Sequence, residues 1–196
     1  LFVNKHWTIG YAGGIDEIWN HKTIIKAITA IDGVEYALAG RADPKYLEEI
    51  KRMPGWAKVK FYGKIPHDKV MPSIYDKANV AVALLDYIPE CKGNLGNLSN
   101  TKLFEMMMME LPVICTDFIM WKDIIETEKC GICVNPHDTV EIVKALSRLK
   151  ENPNEAEKMG KNGRKAILTK YNWEQEAEKL LSVYKKICLD IGGKND

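Results

Sequence analysis

Short apolar runs alternate along the chain with longer amphipathic segments, and Gly or Pro bounds most of the runs. The runs are rich in Val, Ile and Tyr and nearly continuous in apolarity, which is typical of strands buried on both faces of a parallel sheet. The pattern therefore predicts six strands, at residues 7–13, 34–40, 59–63, 80–85, 112–116 and 131–135.

The amphipathic segments carry apolar residues at helical spacing, as Ile24, Ile25 and Ile28 illustrate. One segment opens with Asp43 and Pro44, a capping residue followed by the residue favoured in a first helical turn. Helices are predicted around 24–31 and at 43–53, 67–79, 101–110, 139–152, 154–171 and 172–189.

This repeated alternation of strand and helix indicates an α/β fold, a Rossmann-like doubly wound parallel sheet of about six strands with C-terminal helices. Right-handed crossovers place the loops that follow the strands along one edge of such a sheet, where ligands bind. We predict one domain over residues 1–188, which includes the C-terminal helices, and a disordered tail at 189–196.

The charged residues are nearly balanced, with 28 Lys and Arg against 27 Asp and Glu, and the formal net charge is +1. This balance argues against nucleic acid as a partner, because non-specific binding to its phosphates needs a strongly basic surface. An anionic ligand must therefore be held by local features, such as a helix N-terminus, a glycine loop or a few placed cations.

The chain begins at Leu1 and enters its first strand without the residue order of a signal peptide, and no apolar run has membrane-spanning length. The missing initiator Met suggests a fragment of a longer protein. Five cysteines in no framework spacing favour a reducing cytoplasm. Cys130 and Cys133 enter a strand from a loop rather than opening a helix. We therefore predict two buried, unreactive thiols there instead of a redox or zinc site.

A long Gly- and Asn-rich loop leads into the helix predicted at 101–110. Free backbone N–H groups and the helix dipole form an anion site at such a helix start, and Lys102 adds a positive charge. Glu105, one turn further on, can accept hydrogen bonds from both hydroxyls of a cis-diol. The alternative is a surface ion pair between Lys102 and Glu105, which would stabilise the helix by about 0.3 kcal/mol.

Two other strand ends offer their backbone to a ligand. Gly13 and Gly14 follow the first strand, where the absence of a Cβ lets a ligand approach the main chain. Lys22, near the start of the next helix, is a second candidate cation unless it faces solvent. The third strand ends at Gly63, and the backbone around Ile65 is placed to read the edge of a planar base. A plain turn is the alternative at both strand ends.

Taken in order, several segments resemble a known family. They are "YAGG", "VKFYGKIPHDKV", "TKLFEMMMMELPVICTD" and "CGICVNPHD". They are similar to the C-terminal, donor-binding domain of two-domain glycosyltransferases of the GT-B architecture, the large retaining set often called group 1. The resemblance extends from about Trp7 to Cys188. It implies one half of a GT-B fold, with the N-terminal acceptor domain absent from this chain and the last helix crossing back toward that domain.

The resemblance also implies roles for individual residues. Glu105 matches the glutamate that binds the ribose hydroxyls of the donor. The stretch whose backbone amides meet the diphosphate corresponds to Ser99, Asn100 and Thr101. The glycine loop and the base-contacting backbone of the family correspond to Gly13, Gly14 and Ile65.

Two positions depart from the family pattern. The position that often holds a second glutamate, which touches the transferred sugar, is Asn97 in this chain. The Arg/Lys pair that often follows the first strand is reduced to Lys22, at a longer spacing from Gly14 than usual. Both departures put the identity of the sugar and the affinity for phosphate in question.

The resemblance implies an enzyme, a glycosyltransferase that moves a hexosyl unit from a UDP- or GDP-type nucleotide-sugar to a hydroxyl acceptor. The acceptor is a polysaccharide, a lipid-linked sugar or another glycan, bound through the missing domain. We expect Lys102 to stabilise the leaving diphosphate, with no cofactor and, in the absence of an Asp-x-Asp motif, no metal. A cytoplasmic location is expected, with room for peripheral membrane association of the full-length protein.

Two alternatives stay open from the sequence. One is half of a sugar-nucleotide epimerase, which shares the two-lobed architecture. The other is a degenerate, non-catalytic domain that serves as a nucleotide-binding scaffold, an interpretation favoured by Asn97 and the small number of candidate cations.

Overall fold

The predicted strands form one fully parallel sheet in the computed structural model, which describes residues 7–192 and the side chains of residues 7–188. The strands are β1 (Trp7–Ala12), β2 (Val34–Ala39), β3 (Val59–Gly63), β4 (Val80–Ala83), β5 (Val113–Thr116) and β6 (Gly131–Val134). Their order across the sheet is β3-β2-β1-β4-β5-β6. Each strand agrees with its predicted range to within about two residues, so the α/β fold class is confirmed.

Helices cover the connections between these strands and close the chain. They are α1 (His21–Thr29), α2 (Pro44–Lys51), α3 (His67–Ser73), α4 (Lys102–Met108), α5 (Ile119–Glu128), α6 (Thr139–Glu151), α7 (Pro153–Thr169) and α8 (Trp173–Gly192). The start of α2 is capped as predicted, because Asp43 Oδ1 accepts from the Tyr46 N–H at 2.8 Å. Helix α5 was not among the predicted segments, because its apolar positions show weaker amphipathic periodicity.

Two helix ends differ from the sequence prediction. Helix α4 has seven residues and ends at Met108, before the predicted end at residue 110. Helix α8 continues to Gly192, so residues 189–192 are helical and not part of a disordered tail. Nothing in the sequence Leu-Asp-Ile breaks a helix before that glycine. Residues 193–196, the rest of the predicted tail, lie outside the described residues.

The sheet order reverses at its centre, where β1 pairs with β2 on one side and with β4 on the other. The connections that leave β1 and β4 therefore run in opposite directions and leave a crevice at the carboxyl ends of these strands. The core below that edge is apolar, and the predicted inner face of α4 is fully buried at Leu103, Met106 and Met107. Helix α7 packs against α4, and α6 packs against α1.

Helix α8 keeps several large apolar side chains in solvent. Trp173 is 71% exposed, and its spacing to Leu180, Tyr184 and Ile187 places these side chains along one face of the helix. Such a stripe is typical of a helix that packs against another surface. Among the described residues, no helix combines the length and the apolarity needed to cross a bilayer.

Candidate functional site

A cleft of about 450 Å³ opens at the carboxyl ends of β1, β2 and β3, beside the first turn of α4. It lies at the sheet edge where the sequence pattern predicts ligand-binding loops, and the strand order reverses there. Six of the predicted site residues line it: Gly13, Gly14, Ile65, Thr101, Lys102 and Glu105. The structure thus brings together predicted residues from three different connections of the chain.

Buried aromatic side chains hold the glycine loop from below. Tyr11 donates its hydroxyl hydrogen to the Gly14 carbonyl at 2.8 Å, and His21 Nε2 lies 3.2 Å from the same oxygen. Because a carbonyl only accepts, Nε2 carries the proton, and His21 Nδ1 accepts from the Tyr36 hydroxyl at 3.0 Å. His21 is fully buried, and burial lowers its pKa to about 4. The ring is therefore neutral near pH 7.

The end of β2 packs directly on this loop. A Cβ at Gly40 would overlap the Gly13 carbonyl oxygen, so only glycine permits the contact. The Ile15 N–H then donates to the Arg41 carbonyl at 2.9 Å. This contact places Arg41 on the cleft wall, where its exposed side chain makes no ion pair or hydrogen bond with the described part of the chain.

One of the backbone N–H groups at the start of α4, which were predicted to be free, is already bound by a side chain. Thr101 occupies the N-cap position without a capping bond from its side chain, and Asn100 Oδ1 accepts from the Lys102 N–H at 3.2 Å instead. The Thr101 hydroxyl donates to Glu105 Oε1 at 3.0 Å and holds that carboxylate against the helix start. Because α4 is short, the formal charge of Lys102 outweighs its dipole as a source of positive potential.

Lys102 extends from α4 across the glycine loop. Its Nζ lies 4.5 Å from the centroid of the Trp19 ring. Burial lowers the pKa of Lys102, while Glu105 and Asp16 oppose that shift from beyond ion-pair distance. No ion pair joins Lys102 to Glu105 within residues 7–188, so the surface-pair alternative does not describe this structure. Lys102 is a half-buried cation that faces the cleft without a carboxylate partner.

The turn after β3 forms the far end of the cleft. Gly63 closes that strand with a φ of +65°, and its carbonyl accepts from the Gly40 N–H at 2.8 Å. Gly63 does not line the cleft. The turn that follows it leads to Ile65, which does line the cleft. Ile65 and Val70 give this end an apolar wall, and the exposed Lys64 stands at its rim. A planar ring with polar edges fits such a wall.

Lys22, the second cation predicted from the sequence, lies outside the cleft. Its Nζ donates to Glu49 Oε2 at 2.6 Å and stands 5.0 Å from the centroid of the Tyr46 ring. Its charge is therefore already partnered within α1 and α2. The sequence spacing gave no sign of this contact, because Glu49 is distant along the chain.

Asn97 and Ser99 also lie outside the cleft and form a turn of their own. Asn97 Oδ1 accepts from the Ser99 N–H at 3.1 Å and from the Ser99 hydroxyl at 2.6 Å. Its Nδ2 donates to the Glu90 carbonyl at 3.3 Å, and its backbone carbonyl accepts from Trp121 Nε1 at 2.7 Å. Asn97 therefore shapes the long loop before α4, and its amide is not presented to the cleft.

Sequence reasoning missed Trp19, His21 and Arg41. Arg41 directly follows the glycine at the end of β2, the same kind of position that singled out Gly14 after β1. The position of Arg41 after this glycine was sufficient to identify it as a candidate site residue. Trp19 and His21 carry no comparable signal, because their roles depend on how the loop after β1 folds over the sheet.

Of the two thiols predicted to be buried in the Cys130–Cys133 segment, the structure buries that of Cys130. Cys130 is fully buried just before β6, and Cys133 within β6 is half-buried. Cys133 Sγ lies 3.8 Å from Cys115 Sγ on β5, a contact that the sequence did not reveal. Burial raises the pKa of the Cys130 thiol to about 12. Within the described residues, no group of three or more His, Cys, Asp or Glu side chains is arranged to hold a metal ion.

We expect an alkylating reagent to modify Cys188 of the native chain rapidly and Cys130 only after unfolding. Cys188 is exposed on α8, whereas Cys130 is buried and its thiol stays protonated near pH 7. The thiolate is the reacting species. Mass spectrometry of the chain after brief native alkylation measures both sites, and Cys188→Ser should remove the fast adduct. Rapid native modification of Cys130 would contradict the prediction.

The chain matches the family model described as glycosyl transferases group 1 over residues 1–166. The MMP alpha-(1->4)-mannosyltransferase of Mycolicibacterium hassiacum is 33% identical to it over 58 residues. The alpha-D-kanosaminyltransferase of Streptomyces kanamyceticus is 30% identical over 87 residues. These segments are 30% and 44% of this chain, but only 14% and 22% of the two relatives.

Solved structures share the fold over nearly the whole chain. Sucrose-phosphate synthase from Thermosynechococcus elongatus superposes with a TM-score of 0.74 at 23% identity, covering 96% of this chain and 47% of that one. The C-terminal domain of a group 1 family protein from Francisella tularensis gives 0.69 at 22% identity, covering 85% and 87%. Anabaena HepE, solved with UDP and glucose, gives 0.71 at 16% identity, covering 91% and 49%. The chain thus spans about half of two of these proteins and most of the third, which is a C-terminal domain.

Proposed function

The chain belongs to the group 1 glycosyl transferases, and on that premise we propose that it is the donor-binding half of a glycosyltransferase. The full-length enzyme transfers a hexosyl group from a nucleotide-diphosphate sugar to a hydroxyl acceptor. The curated relatives, a mannosyltransferase and a kanosaminyltransferase, support a hexosyl donor. The acceptor is a polysaccharide, a lipid-linked sugar or another glycan.

One observation carries this proposal, namely the unpaired ammonium of Lys102 beside a glycine loop and a carboxylate in a single cleft. A half-buried cation without a counter-ion is costly unless an anion binds to it. Glycine backbone lets such an anion approach closely. Glu105, on the same helix, accepts hydroxyl hydrogen bonds. A sugar nucleotide contains the matching diphosphate and ribose diol.

We propose a definite order for the parts of the donor along the cleft. We place the diphosphate against Gly13, Gly14 and Lys102, and the ribose against the carboxylate of Glu105. Thr101 already donates to Glu105 Oε1, and the second carboxylate oxygen makes no hydrogen bond within the described residues. The base then lies toward Ile65, at the apolar end of the cleft.

Arg41 supplies the second positive charge that Lys22 was predicted to supply. It lines the cleft and has no partner among the described side chains, whereas Lys22 is bound to Glu49. A guanidinium suits phosphate oxygens because it presents several N–H donors in one plane. With Lys102 and Arg41 in place, we propose that donor binding needs no metal ion.

The chemical role of this half is electrostatic. During transfer the bond from the anomeric carbon to the diphosphate oxygen breaks, and its electron pair leaves with the diphosphate. The acceptor oxygen bonds to the same carbon and loses its proton. Lys102 stabilises the charge that develops on the leaving group, and removing one such contact typically costs about 100-fold or more in rate. We assign any general base to the part of the parent protein that holds the acceptor.

We propose that the exposed apolar stripe of α8 packs against that acceptor-binding part. The stripe contains Trp173, Leu180 and Tyr184, whose apolar area needs a covering surface. A cytoplasmic location with peripheral membrane association of the full-length protein is consistent with a lipid-linked acceptor. The epimerase alternative is less well supported, since the matched curated relatives are transferases.

The proposal is tested by titrating the chain calorimetrically with UDP, GDP and ADP. We expect one of them to bind, with a dissociation constant of about a millimolar or below, since only one wall of the donor site is present. Binding of none of the three would contradict the proposed function and favour the scaffold alternative. The nucleotide that binds identifies the base.

Glu105→Gln should abolish the preference of the site for ribose. We expect this variant to bind the preferred nucleoside diphosphate about tenfold more weakly, because hydrogen bonds to a carboxylate are stronger than those to an amide. The 2′-deoxy analogue should lose less affinity. The control is Glu151→Gln, at an exposed carboxylate at the end of α6 that does not line the cleft. An unchanged ribose preference in Glu105→Gln would remove Glu105 from the ribose site.

A further inference from the structure

Trp19 lies beneath the cation of the cleft, in a short turn between β1 and α1. Its side chain is 6% exposed and packs on the Tyr11 ring, with centroids 5.7 Å apart. The Lys102 ammonium lies over the Trp19 ring, 4.5 Å from its centroid. We propose that Trp19 is a positioning residue, which holds Lys102 ready for the diphosphate of the donor. This inference rests on the proposed function.

The reason lies in what an aromatic ring offers a cation. The ring face attracts an ammonium through its quadrupole but carries no net charge. A carboxylate would hold the same ammonium by neutralising it, and an incoming phosphate would then have to displace that carboxylate. Lys22 illustrates that second arrangement, because Glu49 already binds it. Trp19 therefore fixes Lys102 while leaving its positive charge available.

The packing around the lysine stem supports the same role. A Cβ added at Gly13 would overlap Lys102 Cε, so the stem of the lysine lies directly on the glycine loop. A Cβ added at Gly14 would stand 3.4 Å from Trp19 Nε1. Glycine loop, indole and lysine stem thus form one packed layer. Because the lysine rotamers are restricted before a ligand arrives, binding loses less side-chain entropy.

The indole N–H of Trp19 lies at the edge of the ring that faces the glycine loop. Trp19 Nε1 makes no hydrogen bond within the described part of the chain, and it is not among the buried unsatisfied atoms found there. It lies beside Gly14, which lines the cleft. The edge of the ring thus lies at the glycine loop beside the carboxylate of Asp16, while its face holds the ammonium.

The test compares each nucleoside diphosphate with its nucleoside, using the 196-residue chain with UDP and uridine, GDP and guanosine, and ADP and adenosine. We expect Trp19→Leu to weaken binding of the preferred diphosphate by about tenfold and to leave the nucleoside unchanged. Trp19→Phe retains a ring and should restore most of the affinity. In a Lys102→Met background, Trp19→Leu should cause little further loss, because Trp19 acts through that lysine.

Equal weakening of diphosphate and nucleoside would overturn the inference, since it would indicate a merely structural role. Additive effects of Trp19→Leu and Lys102→Met would overturn it as well. If Trp19→Leu does not fold, Trp19→Phe serves as the test variant. We expect it to weaken binding of the preferred diphosphate by about twofold, and to have no effect in the Lys102→Met background. Failure of all three diphosphates to bind the unsubstituted chain would instead contradict the proposed function itself.

Discussion

Replacing Lys102 with Met is expected to weaken binding of the preferred nucleoside diphosphate by about 10- to 100-fold, because hydrogen bonds to a charged group contribute about 1.5–3 kcal/mol. Met matches the length of the lysine stem, so packing on the glycine loop is retained. Only the charge in the cleft is lost. Calorimetric titration measures the change, and binding of the matching nucleoside should stay the same.

Lys22→Met is the matched control for this substitution. Sequence reasoning placed both lysines in the donor site, but Lys22 is bound to Glu49 and does not line the cleft. Its replacement should therefore change diphosphate affinity by less than about twofold. An equal loss in the two variants would mean that general positive potential, and not the position of Lys102, governs binding. An unaffected Lys102→Met variant would contradict the proposed placement of the diphosphate.

The second large effect concerns the stability of the fold in acid. Burial holds the pKa of His21 at about 4, against an ordinary value of 6.5. The unfolded chain takes up a proton at this histidine below pH 6.5, whereas the folded chain does so only near pH 4. Stability is therefore unaffected by His21 above pH 6.5 and falls as the pH decreases through this window. The difference between the two pKa values corresponds to a loss of about 3 kcal/mol.

Denaturant unfolding at several pH values between about 7 and 4.5 measures this loss. His21→Gln removes the titrating group and should flatten the acid dependence. Tyr36→Phe removes the hydroxyl that donates to Nδ1 but keeps the histidine buried. It should lower stability by about 1 kcal/mol and retain the acid dependence. The interpretation is wrong if His21→Gln and the unsubstituted chain lose stability in parallel.

Acid should also act on the site itself, because His21 holds the Gly14 carbonyl through its Nε2 proton. In the imidazolium Nδ1 also carries a proton, so the Tyr36 hydroxyl must rotate to accept from it, and a buried positive charge then lies beneath the glycine loop. The group that makes the fold acid-sensitive is thus the one that supports the glycine loop of the cleft. We therefore expect acid to weaken stability and the proposed donor binding together.

The fold could be predicted from the sequence because the patterns that indicate its strands and helices are local. Continuous apolar runs identify strands buried on both faces, and their alternation with amphipathic segments leaves a doubly wound sheet as the simplest arrangement. Lys102 and Glu105 could also be predicted from local signals, because the loop that precedes them and the apolar pattern of α4 are contiguous in the chain. Gly13 and Gly14 follow a predicted strand directly, which places them at the ligand-binding edge.

The partners of individual side chains were decided by tertiary structure alone. Lys22 and Arg41 are both basic residues close to a strand end, and no periodicity in the sequence shows that Glu49 engages the first and leaves the second free. Ionic and aromatic contacts depend on distances of a few ångströms between segments far apart in the chain, and hydrophobic patterning does not encode them. The sequence by itself therefore determined the sheet, its binding edge and the helix that carries Lys102. Only the folded chain decided which cation faces the cleft, which ring holds it and which histidine supports the loop beneath it.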